Sequence, residues 1–300
     1  MRSASPGRLP VFHPGFVAWH MWRKLNRSAC WSCQAYGLEP SSHLNQPFEN
    51  IQFFNLKGKT VFKQLVPLNK ARHATKKIKQ IEGFGFASEF HIASLMVHEF
   101  SRAAAIYPVV FLEDKEKDRF RPVVLLGLEE GVNLFTDADG KWQSSYVPAI
   151  IRRYPFALAS TGQEGQFTVC IDEGSDLVSD TEGVPLFGDN GEPAEAIENI
   201  KTYLGELQQM DAFTDEFCKF FAQHNLFTPL NMRVRQADQA KNISGCYVIN
   251  EERLNNLSNE LFLEIRAKNY LPAVYAHLIS LSQIERLMTL GEERQSAKNS

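Results

Sequence analysis

The sequence predicts an α+β fold, mostly antiparallel strands in the N-terminal half and amphipathic helices mainly C-terminal. Short runs of β-branched and aromatic residues separated by turn residues occupy positions 61–180, and apolar residues recur at spacings of three and four after position 192. Strands come first and helices mostly later, the order of an α+β chain rather than of alternating α/β units.

Taken in order, "VFKQLVPL" (61–68) and "YPVVFLED" (107–114) read as strands, and "DKEKDRF" (114–120) as a charged turn. "RPVVLLGLE" (121–129) and "GVNLFTDADGKW" (131–142) continue an antiparallel meander in which Asp139-Gly140 signals a hairpin, and "QFTVCIDE" (166–173) adds a further strand. Pro67, Pro108 and Pro122 fall at strand starts or edges, where a missing N–H is tolerated. Between the first two strands, residues 91–105 read as a short helix burying Ile92, Leu95, Met96 and Phe100, ended by Tyr107-Pro108.

From Pro193 a helix opens, with Glu195 and Glu198 near its start and Ile197, Ile200, Leu204 and Leu207 along one stripe. A second helix starts at Thr214 as its cap and buries Phe217 and Phe221. "SGCYVIN" (244–250) returns to the sheet, and Asn250 caps a helix carrying Leu254, Leu257 and Leu261. The final helix carries Val274, Leu278, Leu281 and Met288 before a polar tail, 291–300.

Composition narrows the function classes. Three hundred residues with 44% apolar and 22% charged side chains suit one large or two medium globular domains. No stretch approaches the roughly 18 to 20 apolar residues of a spanning helix. "VFHPGFVAWHMW" (11–22) makes a poor signal peptide, since histidines and a proline interrupt it. The expectation is a soluble, cytoplasmic protein without membrane insertion, with peripheral association with the envelope left open. Five cysteines form no disulfide framework, and Cys30-Trp-Ser-Cys33 lacks a second ligand pair, so no metal is expected. No dinucleotide or P-loop fingerprint implies a cofactor, and a pI near 6.3 argues against nucleic acid as principal partner. "NLFTDADG" (133–140) and "PLFGDNG" (185–191) echo one another weakly and read as acidic turns after strands.

Three groups of residues could carry chemistry. His91 and His98 stand seven apart, about 10 Å of rise on a helix, too far to share one ion. His98-Glu99 begins like a zinc-protease HExxH motif, but Arg102 occupies the second ligand position and a guanidinium cannot ligate zinc. Two readings remain for His91, His98, Glu99 and Arg102: a histidine base beside an arginine that binds a carboxylate or phosphate, or a helix whose polar residues bond internally. In "YVPAIIRRYPFAL" (146–158), Arg152 and Arg153 are candidates for anion recognition, and an extended backbone would point them to opposite sides. In "CIDE", Asp172 shares a face with Cys170 and is a further binding candidate, although a buried cysteine followed by a polar strand end explains both.

Taken together, "LVPLNKARHA", "FGFASEFHIASLMVHEFSRAAAIYPVVF", "PVVLLGLEEGVNLF", "YVPAIIRRYPFAL", "CIDEGSDLV" and "AHLISLSQIERL" resemble the bacterial SapC family from about Lys63 to Leu290. The resemblance implies an accessory or binding protein of surface-layer, envelope or TonB-dependent uptake systems, with a protein or peptide partner. The alternative is an enzyme acting on a peptide or small anionic substrate through a His/Arg pocket. No catalytic residues come with the resemblance. An unrelated peptide-transporter permease shares the family's name, and its spanning helices have no counterpart in this sequence.

Residues 1–60 differ from the rest: they hold seven Lys/Arg against two Asp/Glu and three of the four tryptophans, whereas 61–300 holds 25 basic and 33 acidic residues, net −8. They read either as a basic arm for an acidic partner or as translated upstream sequence. Lys57-Gly58-Lys59 can be encoded as a ribosome-binding sequence and Val61 by a GTG start, and members of the resembled family begin just before the segment matching "QLVPLNKARHA". Mass spectrometry of the native protein is therefore expected to find its N-terminus at or near Val61; tryptic peptides from residues 1–55 would overturn this.

Overall fold

The computed structural model describes residues 61–163, 165–236 and 239–299. The Cys30/Cys33 pair and the basic segment 1–60 lie outside the described residues. The strands are β1 (Leu65–Pro67), β2 (Lys77–Ile78), β3 (Ile92–Ser94), β4 (Val109–Asp114), β5 (Arg119–Leu125) and β6 (Phe156–Ser160). They continue with β7 (Phe167–Asp172), β8 (Val178–Ser179), β9 (Val184–Pro185), β10 (Phe227–Gln236) and β11 (Gln239–Ile249). The α-helices are α1 (Lys70–His73), α2 (Phe100–Ala103), α3 (Ala149–Arg152), α4 (Glu195–Gln223), α5 (Glu251–Asn255), α6 (Asn259–Ala267), α7 (Leu271–Ser280) and α8 (Gln283–Asn299).

The architecture is α+β, and the described strand pairs are antiparallel. One sheet has the order β10-β11-β4-β5-β3, a second β1-β7-β6, and a small third β8-β2-β9. Two cores result. The larger gathers Val109, Val110 and Phe111 of β4 with Phe217, Phe221 and Val274. The smaller gathers Phe156 and Ile171 of the second sheet with Ile197, Leu204 and Leu207.

Helix α4 joins these cores. Its 29 residues extend about 44 Å. Its first half presents Ile197, Leu204 and Leu207 to the smaller core, its second half Phe217, Cys218 and Phe221 to the larger. The two helices expected from sequence are thus one. Thr214 is not a cap: its hydroxyl donates to Met210 O (2.7 Å) within the helix and accepts from Val97 N (3.0 Å) of a neighbouring segment.

Several other expectations change. Residues 91–96 are not helical: Ile92–Ser94 pairs with β5, a short 3-10 turn follows at Val97–Glu99, and only Phe100–Ala103 is α-helical. Leu95, Met96 and Phe100 are buried as expected. Strand β10 was absent from the expectation, and the helix carrying Leu254 and Leu261 is two helices, with Ser258 capping the second through Leu261 N (3.3 Å). Asn250 caps α5 as expected, accepting from Arg253 N (2.8 Å). The final helix breaks after Ser280 and then runs through the polar residues to Asn299. The Asp139-Gly140 turn forms as expected. Gly140 adopts φ +76°, and a Cβ there would lie 2.9 Å from Gly85 N. Asp137 closes the same turn by accepting from Asp139 N (3.0 Å) and Lys141 N (2.8 Å).

Strands β4 and β11 meet narrowly, with Tyr247 opposite Phe111. Side chains of α7 complete the junction. Fully buried His277 accepts from Ile249 N at Nε2 (3.0 Å) and donates from Nδ1 to Val109 O (2.9 Å), while Ser280 Oγ accepts from Val109 N (3.0 Å). That pattern requires a neutral imidazole, and burial pushes its pKa down to about 4.

A histidine held neutral in the folded state, with an unfolded value near 6.5, contributes its full stability above pH 6.5; the contribution is lost as pH falls from 6.5 towards 4. Urea unfolding is expected to show a loss of about 3 kcal/mol across that window. His277→Gln should start less stable and lack this component of the pH dependence. An unchanged pH slope in the variant would refute the assignment.

Candidate functional site

The seam between the two cores carries charge. From β5, Arg121 (4% exposed) reaches Asp211 Oδ1 (2.9 Å) and Asp215 Oδ1 (3.3 Å) on α4. Arg119, two residues earlier on the same face, contacts Asp114 (3.3 Å) and Asp215 (3.9 Å). Burial pushes the Asp211 carboxyl up, against the pull of Arg121.

A second polar structure positions the arginine segment. The buried Glu99 carboxylate accepts from Met96 N (3.0 Å), from Ala149 N (2.8 Å) and from the Tyr146 hydroxyl. Glu99 thereby anchors the first residue of α3. Residues 149–152 form a helical turn rather than extended chain, so Arg152 and Arg153 diverge by a helical step instead of pointing to opposite faces. Arg152 remains exposed, its guanidinium 5.8 Å from the Tyr146 ring and 5.9 Å from the Tyr203 ring. Arg153 turns inward. Burial lowers its pKa to about 10, with Asp211 and Tyr203 opposing the shift.

Two cavities flank Arg153. The inner, about 50 Å³, lies against Arg121, Asp211, Ser94 and Thr214 and has apolar walls that include Leu95 and Leu207. The outer, about 210 Å³, has Lys79, Arg152 and Arg153 on its wall with Tyr203, Phe156 and Ile200. Among the described residues its lining includes these three cationic side chains and no carboxylate.

The structure thus brings together Arg152 and Arg153 of the sequence-derived candidates, with Glu99 bonded to the same Tyr146 that Arg152 overlies, and places His91, His98, Arg102 and Asp172 elsewhere. His98 lies with its ring 4.9 Å from that of Phe213, and partial burial lowers its pKa. Arg102 is exposed. His91 is half-buried, and its backbone carbonyl accepts from Leu126 N (2.7 Å). Neither cavity is lined by His91, His98, Glu99, Arg102 or Asp172. Asp172 is fully buried and accepts from Lys63 N (3.0 Å), Gln64 N (2.7 Å), Gly174 N (3.1 Å) and the Tyr154 hydroxyl (3.2 Å), tying the chain before β1 to the end of β7. Glu173 contacts Arg72 (2.5 Å) and His73 (3.0 Å). Burial pushes the Cys170 thiol up to about 11, which keeps it protonated near neutrality.

Sequence reasoning missed Lys79, Arg121, Tyr203 and Asp211. The last two sit one and four residues from stripe leucines of α4, and Arg121 stands at the start of a strand-like run; each is an ordinary polar residue until the fold converges them.

A family model described as SapC matches residues 68–287. No curated protein and no solved structure matches the chain. Among the described residues no helix is long and apolar enough to cross a membrane.

Asp172→Ala is expected to leave four donors without their acceptor, among them the buried Tyr154 hydroxyl, and to lower stability by about 3 kcal/mol, read from urea unfolding. Glu99→Ala should behave similarly. Unchanged unfolding midpoints would show that these carboxylates are not structural anchors.

Proposed function

Because the chain belongs to the SapC family, whose model matches most of its length, we propose that it is an accessory or binding protein of bacterial envelope, surface-layer or TonB-dependent uptake systems that holds a protein or peptide partner. The observation that carries this reading is the outer cavity: Lys79, Arg152 and Arg153 line one cleft in a region, 61–300, whose net charge is −8. A concentrated positive site on an acidic surface attracts an anionic group and orients its approach. Glu99 and Asp172, the carboxylates that an enzymatic reading would draw on, are engaged by backbone donors. A binding role needs neither of them free.

Cross-linking in the native host followed by capture of the chain is expected to recover a specific envelope, receptor or modifying-enzyme partner. Arg152→Glu, an exposed change that reverses charge at the cleft, should reduce that recovery about tenfold or more. Recovery of no such partner, or equal recovery by the variant, would count against the reading.

A further inference from the structure

We propose that the outer cavity is a carboxylate site that takes the terminal carboxylate of an apolar residue, which deepens and rests on the reading of this cleft as a binding site. Three features of the cavity select that chemistry. Its charged wall is supplied by Lys79, Arg152 and Arg153, and two of these are guanidiniums, whose planar fork matches a carboxylate in two parallel hydrogen bonds. Its remaining wall is largely apolar, with Ile78, Phe156, Ile200 and Leu204 facing the same space. A ligand that satisfies both walls carries a negative head on an apolar body.

Size supplies the third feature. At about 210 Å³ the cavity falls below the roughly 300–1,000 Å³ of sites that engulf a drug-sized molecule. It has room for one residue, not for a nucleotide or a bulky cofactor. The cations are also graded by depth: Arg152 is exposed and braced over Tyr146 and Tyr203, Lys79 is half-buried, and Arg153 lies deeper, against the inner cavity. An entering carboxylate meets Arg152 first and settles towards Arg153, while its apolar body is held by Phe156 and Ile200. The tyrosine rings that support Arg152 limit its rotamer freedom, so less entropy is lost when it closes on a ligand.

The shared chemistry is an apolar carboxylate, and its source is either a peptide C-terminus or a free small acid. Isothermal titration of the full chain separates them. The probes are N-acetylphenylalanine, its amide, a short peptide ending in phenylalanine as free acid and as amide, and inorganic phosphate. Both free acids are expected to bind saturably, with the amides weaker by about tenfold or more and affinity falling as salt is raised. Arg152→Ala and Lys79→Ala, both outside the buried cores, should each weaken the acids about tenfold without moving the unfolding midpoint. Tighter binding of the peptide acid assigns the site to a C-terminus; equal affinity for N-acetylphenylalanine keeps the carboxylate site and assigns it to free acids. Equal binding of acid and amide, binding of phosphate as strong as that of the acids, or absence of binding by every probe would overturn the proposal. If partner capture from the host persists alongside any of these results, the binding-protein reading stands and only the carboxylate assignment falls.

Discussion

Arg121 is a guanidinium placed where two hydrophobic cores meet, and its pairing constrains the rest of the fold. An unpaired buried charge costs several kcal/mol, so its two carboxylate contacts, Asp211 and Asp215, must be held in register. Both come from the middle of α4, four residues apart and therefore on one face. A slip of one turn, 5.4 Å, would separate them from the guanidinium. The same register delivers Leu204 and Leu207 to one core and Phe217 and Phe221 to the other. Val97 N bonding to Thr214 Oγ1 adds a second pin beside the first. The inner cavity lies at this seam, lined by Arg121 and Asp211.

Other polar groups do comparable work elsewhere. His277 and Ser280 supply bonds where β4 and β11 meet narrowly, Glu99 binds the turn at Met96 to the start of α3, and Asp172 binds the end of β7 to the chain before β1. Each accepts from backbone N–H groups, those of Val109, Ile249, Met96 and Ala149 in buried positions. The consequence for function is a division of labour. Glu99 and Asp172 serve architecture, while Arg152 and Arg153 line the cleft that gives the site its sign.

Where sequence patterns were misleading, a long-range contact explains why. Thr214 looks like a helix cap because its residue type favours caps; in the fold its hydroxyl accepts from Val97 N of another segment, a use that depends on a residue 117 positions away. Residues 92–94 look helical from their apolar spacing, yet pairing with Val123, Val124 and Leu125 makes them a strand. Strand β10 did carry a signal: Leu230, Met232 and Val234 alternate with Asn231, Arg233 and Arg235, with Pro229 obscuring the start. For Arg152 and Arg153, residue type suggested anion binding, but the direction of each side chain followed from a helical turn that Glu99 anchors from afar.

The sequence by itself determined what depends on local periodicity and residue type: the α+β class, the Asp139-Gly140 turn, the Asn250 cap, the stripe on α4 and the family, whose model matches residues 68–287. Only the tertiary structure decided which polar residues meet. Lys79 and Tyr203 are 124 positions apart and Arg121 and Asp211 are 90, and no local pattern links either pair. Their convergence is set by burial of two cores along one helix and by the need to pair the charge trapped between them.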